Sequence, residues 1–240
     1  MIATDLFLLN TADVASQSLI GLPDLLSVDE RQKWQQMSHD VRRQSYLLSR
    51  ALLRQLLAQK LGTSPVKLAF CQGEHGKPQL QDERWHFNLS HSGSWLVLAL
   101  CPQGPVGVDI ELGKRRHNIL PLARRFYAQS EYEWLCALPA QEQEIAFYRF
   151  WSRKEAVLKA HGGGIAAGLE KVRFIPDEGW RLDNRLDDTP YQVQDWPLAG
   201  GWLSLAAATT PVNLYRLDER LNCHAINPML LHTLAEESNP

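Results

Sequence analysis

Two hydrophobic periods take turns along this chain, one of two residues and one near 3.6, with glycine and proline stops between them. An apolar run over residues 2–10 predicts an opening strand. Residues 24–37 predict a helix with Ser27 as N-cap and Glu30 three residues on, a capping-box arrangement. Asp40–Leu61 predicts a longer helix, stopped by Gly62. Residues 66–70, 85–89 and 94–101 predict strands, the last two joined by the turn-like Ser90-His91-Ser92-Gly93. Val106–Glu111 predicts another strand, and residues 119–125 and 130–137 short helices. Residues 142–161 predict the second long helix, which ends at Gly162-Gly163-Gly164. From 171 to about 217 the alternation is again that of strands.

The order strand, helix, strands thus occurs twice. Ser94-Trp95-Leu96-Val97-Leu98-Ala99-Leu100 parallels Gly201-Trp202-Leu203-Ser204-Leu205-Ala206-Ala207. The expected fold class is α+β, built as a pseudo-dimer of two similar halves, residues 1–104 and 105–220, with a tail from 221 to 240. The polar end of that tail is expected to be poorly ordered. Trp95 and Trp202 fall at matching strand starts and Trp151 lies within the second long helix, which suits core packing.

In Val106-Gly107-Val108-Asp109-Ile110-Glu111 the alternation puts Asp109 and Glu111 on one face, opposite Val106, Val108 and Ile110. An apolar strand carries two acids on one face when something cationic satisfies them. In the second long helix Glu155 and Lys159 lie one turn apart on one face, and Lys154 points elsewhere. Three carboxylates suit a hard cation such as Mg²⁺, and a neighbouring lysine suits a phosphate. The pattern fits metal-assisted chemistry on a phosphate ester or anhydride.

Composition narrows the class. The 240 residues are 45% hydrophobic and 22% charged, with a formal net charge of −2. That balance is ordinary for a soluble protein and gives no global reason to bind nucleic acid. Cys71, Cys101, Cys136 and Cys223 show no paired spacing, so reduced thiols are expected rather than a zinc site. The N-terminus lacks the layout of a signal peptide and no apolar stretch suits a membrane span. A cytoplasmic monomer is the expectation.

Five fragments now stand in order: Gly76-Lys77-Pro78; Phe87-Asn88-Leu89-Ser90-His91-Ser92; Gly107-Val108-Asp109-Ile110-Glu111; Arg125-Phe126-Tyr127-x-x-x-Glu131; and Trp151-Ser152-x-Lys154-Glu155-x-x-x-Lys159. Together they resemble the 4′-phosphopantetheinyl transferases, the larger surfactin-synthetase-type group. The resemblance spans residues 27 to 164 and implies a pseudo-dimeric fold with the site between the halves. It implies transfer of the phosphopantetheine arm of coenzyme A to a serine of an acyl or peptidyl carrier protein, releasing adenosine 3′,5′-bisphosphate. It implies Mg²⁺, or Mn²⁺ in its place, on Asp109, Glu111 and Glu155, and Lys159 on a reacting phosphate. Glu155 is then the general base, with Glu131 the alternative.

Lys33, Arg50, Lys77, Ser90, His91, Asp109 and Lys159 are the expected coenzyme A contacts. Arg43, Arg50 and Arg54 share a helix face by spacing, so with Lys33 they form either a cradle for the adenosine bisphosphate end or a solvated basic face. Glu30 stands where a basic residue is common in the family, and Ser45 where an arginine is, so Arg42 or Arg43 is the expected substitute. The basic segment Gly113-Lys114-Arg115-Arg116-His117 is expected to meet an acidic carrier protein. A metal-dependent phosphohydrolase and a non-catalytic binder of coenzyme A are the competing classes.

Overall fold

The computed structural model describes residues 3–112, 118–175, 180–208, 211–229 and 231. The elements run β1 (Thr4–Asn10), α1 (Val28–Gln36), α2 (Asp40–Leu61), β2 (Phe70–Gln72), β3 (Pro78–Leu80), β4 (His86–Ser92), β5 (Trp95–Cys101) and β6 (Val106–Glu111). Then follow α3 (Ile119–Phe126), α4 (Gln129–Ala137), α5 (Ala140–His161), β7 (Val172–Ile175), β8 (Arg181–Asn184), β9 (Gln192–Leu198), β10 (Gly201–Ala207), β11 (Val212–Leu217) and β12 (Cys223–Ala225).

One sheet has the order β12-β11-β1-β5-β4 and a second β6-β10-β9, with two small ribbons, β2-β3 and β7-β8. The repeat is visible in this order. β1 and the β4-β5 hairpin, with β5 central, answer to β6 and the β9-β10 hairpin, with β10 central. α2 lies in sequence between β1 and its hairpin, as α5 does between β6 and its own. Both sheets are mixed with helices, so the fold is α+β and pseudo-dimeric.

The layers follow from which residues alternate. Phe7 and Leu9 of β1, with Leu96, Leu98 and Leu100 of β5, pack on Leu48, Leu52 and Leu56 of α2. The opposite faces, Leu6, Leu8, Trp95, Val97 and Ala99, meet Val106, Val108 and Ile110 of β6 and Leu203 and Leu205 of β10. β1 and β5 are buried on both faces, which is why Leu6–Leu9 and Trp95–Cys101 read as unbroken apolar runs. The far face of the second sheet, including Ala206, packs with Ala156, Val157 and Ala160 of α5. The order of layers is therefore helix, sheet, sheet, helix.

Gly107 is what lets β6 lie against α5. A Cβ there would stand 2.0 Å from the carbonyl oxygen of Ala156 and 2.3 Å from the amide nitrogen of Ala160. The glycine is a packing requirement, since both neighbours are backbone.

Several expectations need correction. The helix over 24–37 begins at Val28, after a 3₁₀ turn at Leu22–Leu25, and Ser27 and Glu30 make both bonds of the capping box. Residues 65–67 form a 3₁₀ turn in place of the strand over 66–70, which instead runs Phe70–Gln72. Pro65 lacks an amide hydrogen, and Arg54 Nη1 draws in the carbonyls of Pro65 and Leu68 at 2.7 and 3.0 Å. His91 lies on β4 and not in a turn, because the strand continues to Ser92 and reverses at Gly93, whose φ is 57°. The expected tail contributes β12, which pairs with β11, while 230 and 232–240 lie outside the described residues. Trp95 is buried between the sheets, and Trp151 and Trp202 pack around α5 as half-buried core residues.

Candidate active site

The site forms where β6 crosses α5. Asp109 faces α5, buried, and its Oδ1 accepts from Lys159 Nζ at 2.6 Å and from Ser90 Oγ at 3.1 Å. Ser90 Oγ also accepts from Lys159 Nζ at 2.9 Å and from the amide of Ile110 at 3.3 Å. One donor and two acceptor positions are all a hydroxyl has, so Ser90 is fully engaged within the protein. Ser152 Oγ of α5 donates to the Asp109 carbonyl at 3.3 Å, holding strand and helix together from the other side.

Two carboxylate oxygens in this cluster, Asp109 Oδ2 and Glu155 Oε1, are buried with no hydrogen-bond partner. Burial, and then the charge of Asp109, push the Glu155 carboxyl up to about 7; Lys159 opposes the rise and Glu111 adds to it. Asp109, Glu111 and Glu155 therefore feel one another, and Lys159 is the ammonium that answers them. Among the described residues no group of three or more His, Cys, Asp and Glu side chains already stands in metal-holding arrangement. The donor set nonetheless fits a hard cation. Its unpartnered atoms, Asp109 Oδ2 and Glu155 Oε1, are buried carboxylate oxygens, the donor type a hard cation takes.

The other predicted residues are distributed differently. Lys77 Nζ donates to the carbonyls of Val106 at 2.8 Å and Ala160 at 3.1 Å, tying the β2-β3 ribbon to β6 and to the last turn of α5. Burial lowers its ammonium to about 8. His91, next to Ser90 on β4, points to the opposite face and lines a cavity with Arg42, Ser45, Tyr46, Arg50 and Asn88. Lys33 and Arg50 flank the Tyr46 ring, 5.5 and 5.8 Å from its centroid. β4 thus separates a cationic cavity from the carboxylate cluster by the thickness of one strand.

Arg43 pairs with Asp40 at 3.1 Å on the surface. Arg54 does not join the cradle. It is buried, bound to Glu30 Oε2 at 2.5 Å and stacked over Phe70, so Glu30 and Arg54 are a matched internal pair. The segment 113–117 lies outside the described residues.

Glu131 stands apart from the Asp109 cluster. It is fully buried at the start of α4, where Oε2 accepts the amide of Ala128 at 2.8 Å and Oε1 that of Phe174 at 2.7 Å. Its charge is answered by Lys154 Nζ at 2.8 Å, which also donates to the carbonyls of Leu169 and Val172. None of these partners belongs to the Asp109 cluster, and the pair fastens α4 and β7 to α5. Glu131→Gln should destabilise the chain by about 3–5 kcal/mol, because it leaves a buried ammonium uncompensated. Turnover of the folded fraction should stay near wild type; a base would show the reverse, lost kcat at unchanged Tm.

Residues 105–205 match the 4′-phosphopantetheinyl transferase superfamily, and residues 15–103 match the 4′-phosphopantetheinyl transferase N-terminal family. The chain is 30% identical to the 4′-phosphopantetheinyl transferase Sfp of Bacillus subtilis strain 168, over 78% of its own length and 83% of that protein's. The chain belongs to the 4′-phosphopantetheinyl transferases. It is also 34% identical to the transferase HetI of Nostoc sp. (71% of the chain, 74% of HetI) and 38% identical to AcpT of Salmonella typhimurium (62% and 71%). As a phosphopantetheinyl transferase it activates carrier proteins, and coenzyme A is the family's substrate. No helix among the described residues is long and apolar enough to cross a membrane.

Proposed function

We propose that this transferase moves the 4′-phosphopantetheine arm of coenzyme A to a serine of an apo acyl or peptidyl carrier protein, releasing adenosine 3′,5′-bisphosphate, with Mg²⁺ held by Asp109, Glu155 and Glu111. The observation that carries the proposal is the pair of buried, unpartnered oxygens on Asp109 and Glu155 beside Lys159. When bound, the cation neutralises charge that builds on the pyrophosphate as the anhydride breaks. Lys159 steadies the phosphate under attack, and Asp109 and Ser90 hold its ammonium in place. Glu155 takes the proton from the attacking serine with whichever oxygen is not engaged. The nucleotide end lies in the cavity of Arg42, Arg50 and His91, with Lys33 at its rim.

On this reading residues 1–104 carry the nucleotide side, residues 105–220 the reacting side, and the enzyme works as a cytoplasmic monomer. The carrier is an acidic protein of fatty-acid, polyketide or non-ribosomal peptide synthesis.

Lys159→Ala should lower kcat far more than it weakens coenzyme A binding, since its charge matters most when the anhydride breaks. Steady-state kinetics beside calorimetric titration of coenzyme A separates the two. Equal loss of affinity with kcat intact would make Lys159 a plain binding residue.

The metal itself has a readout independent of turnover. Glu155 ionises near 7 in the fold against 4.5 in the open chain, so the folded state holds its proton more tightly. Stability from this group is present at low pH and is lost as pH rises from 4.5 toward 7, in all about 3 kcal/mol at about 1.4 kcal/mol per pH unit. Added Mg²⁺ should restore it. The rise in Tm on adding MgCl₂ should be small near pH 5 and grow through pH 8, and a Tm indifferent to Mg²⁺ at every pH would remove the metal site.

A further inference from the structure

β4 and β6 are the facing edges of the two sheets, and no backbone ladder joins them. Side chains do so instead. Asn88 Oδ1 accepts the amide of Val108 at 2.9 Å, Ser90 Oγ that of Ile110 at 3.3 Å, and Ser92 Oγ that of Leu112 at 3.4 Å. Alternate residues of one strand thus meet alternate residues of the other, in the common period of two. The rungs satisfy amides that an unpaired strand edge would otherwise leave without partners. They join the edges while keeping them in separate sheets.

Register matters here more than elsewhere in the fold. A slip of one residue would turn Asp109 into the apolar layer between the sheets and bring Val108 or Ile110 to face α5. The middle rung, Ser90, fixes one point of β6 against the first half of the molecule. The backbone ladder to β10 holds β6 within its own sheet, and the outer rungs fix that strand at two further points against the first half. Neither Asn88 nor Ser92 bonds to Asp109, Glu155 or Lys159. Ser92 lines neither cavity beside His91, whereas Asn88 borders one of them.

We propose that Asn88 and Ser92 are positioning residues, the outer rungs of a side-chain ladder that sets the register of the Asp109 strand against β4 and so aligns Asp109, with Lys159 and Glu155 beside it, with the nucleotide-binding half. The inference rests on the reading of Asp109 as part of the reacting site. A misplacement of about 1 Å at a reacting centre costs on the order of 10²-fold in rate, so small shifts of this strand are costly.

The test uses the full chain in four variants, Asn88→Ala, Ser92→Ala, Ser92→Thr and Asp109→Ala. Each is assayed for kcat, for KM of coenzyme A, and for hydrogen exchange at the amides of Val108 and Leu112. Asn88→Ala should lower kcat by about tenfold or more with KM for coenzyme A within about twofold, and speed exchange at Val108. Ser92→Ala should lower kcat by about threefold and speed exchange at Leu112, and Ser92→Thr, which keeps the hydroxyl, should restore both. The Ser92 pair decides the matter alone if Asn88→Ala does not fold. Wild-type kcat in Asn88→Ala and Ser92→Ala, beside an inactive Asp109→Ala, would overturn the ladder while sparing the site. A rise confined to KM for coenzyme A would make Asn88 a binding residue and overturn its positioning role. Full activity in Asp109→Ala would instead overturn the site on which the inference stands.

Discussion

Asp109→Ala is expected to cut carrier-protein modification by about 10³-fold in kcat while the chain stays folded. The side chain contributes one of the two unpartnered oxygens and holds Lys159 at 2.6 Å, so its loss removes a proposed cation ligand and loosens the lysine together. Stability responds weakly because two effects oppose. The ion pair with Lys159 is lost, and so is a buried oxygen that has no partner and a charge that disfavours ionised Glu155. Tm should stay within about 5 °C of wild type, and stabilisation by Mg²⁺ should disappear. Undiminished activity would remove Asp109 from the site, and a collapse in Tm would assign it to the scaffold.

Gly107→Ala is expected to be strongly damaging for the addition of a single methyl group. The new Cβ would sit 2.0 Å from the Ala156 oxygen and 2.3 Å from the Ala160 nitrogen, and backbone atoms of a helix cannot rotate aside. β6 must withdraw from α5, which breaks the packing of the second half and carries Asp109 away from Lys159. The cost should be about 3 kcal/mol or more, a fall in Tm of about 6–12 °C for a chain of this length, with activity lost as well. Thermal unfolding followed by circular dichroism reads this directly. An unchanged Tm would mean that strand and helix are less closely packed than described.

What the sequence discloses of this molecule follows a physical divide. The long helices α2 and α5, the strand bearing Asp109 and the repeated hairpin are legible because each carries its own period, and Gly62 and Gly162 take the left-handed φ of helix ends. Asp109, Glu155 and Lys159 come together because a strand face and a helix face each gather residues that local spacing already aligns. Pairings between distant positions are silent. In sequence Glu131 stands as a candidate base and Arg54 as part of a basic helix face, and only the fold shows Glu131 paired with Lys154 and Arg54 with Glu30. Lys77 looks like a phosphate ligand in a turn, yet its amino group is held by two carbonyls from different elements. Asn88 and Ser92 carry one faint signal, since with Ser90 they alternate with Phe87, Leu89 and His91 along the strand. An exposed edge explains such a pattern in sequence, and only the neighbouring edge shows what the polar atoms hold.

Transfer of a phosphopantetheine arm to a carrier protein, rather than hydrolysis of an anhydride, is the chemistry proposed for this site. Mass spectrometry of apo carrier proteins incubated with the enzyme, coenzyme A and Mg²⁺ tests it most directly, with adenosine 3′,5′-bisphosphate measured in parallel with and without carrier. The account predicts a carrier heavier by one phosphopantetheine arm, and bisphosphate released in equal amount only when carrier and Mg²⁺ are both present. Release of bisphosphate without any carrier, or carriers of unchanged mass across a panel from all three kinds of synthesis, would contradict it.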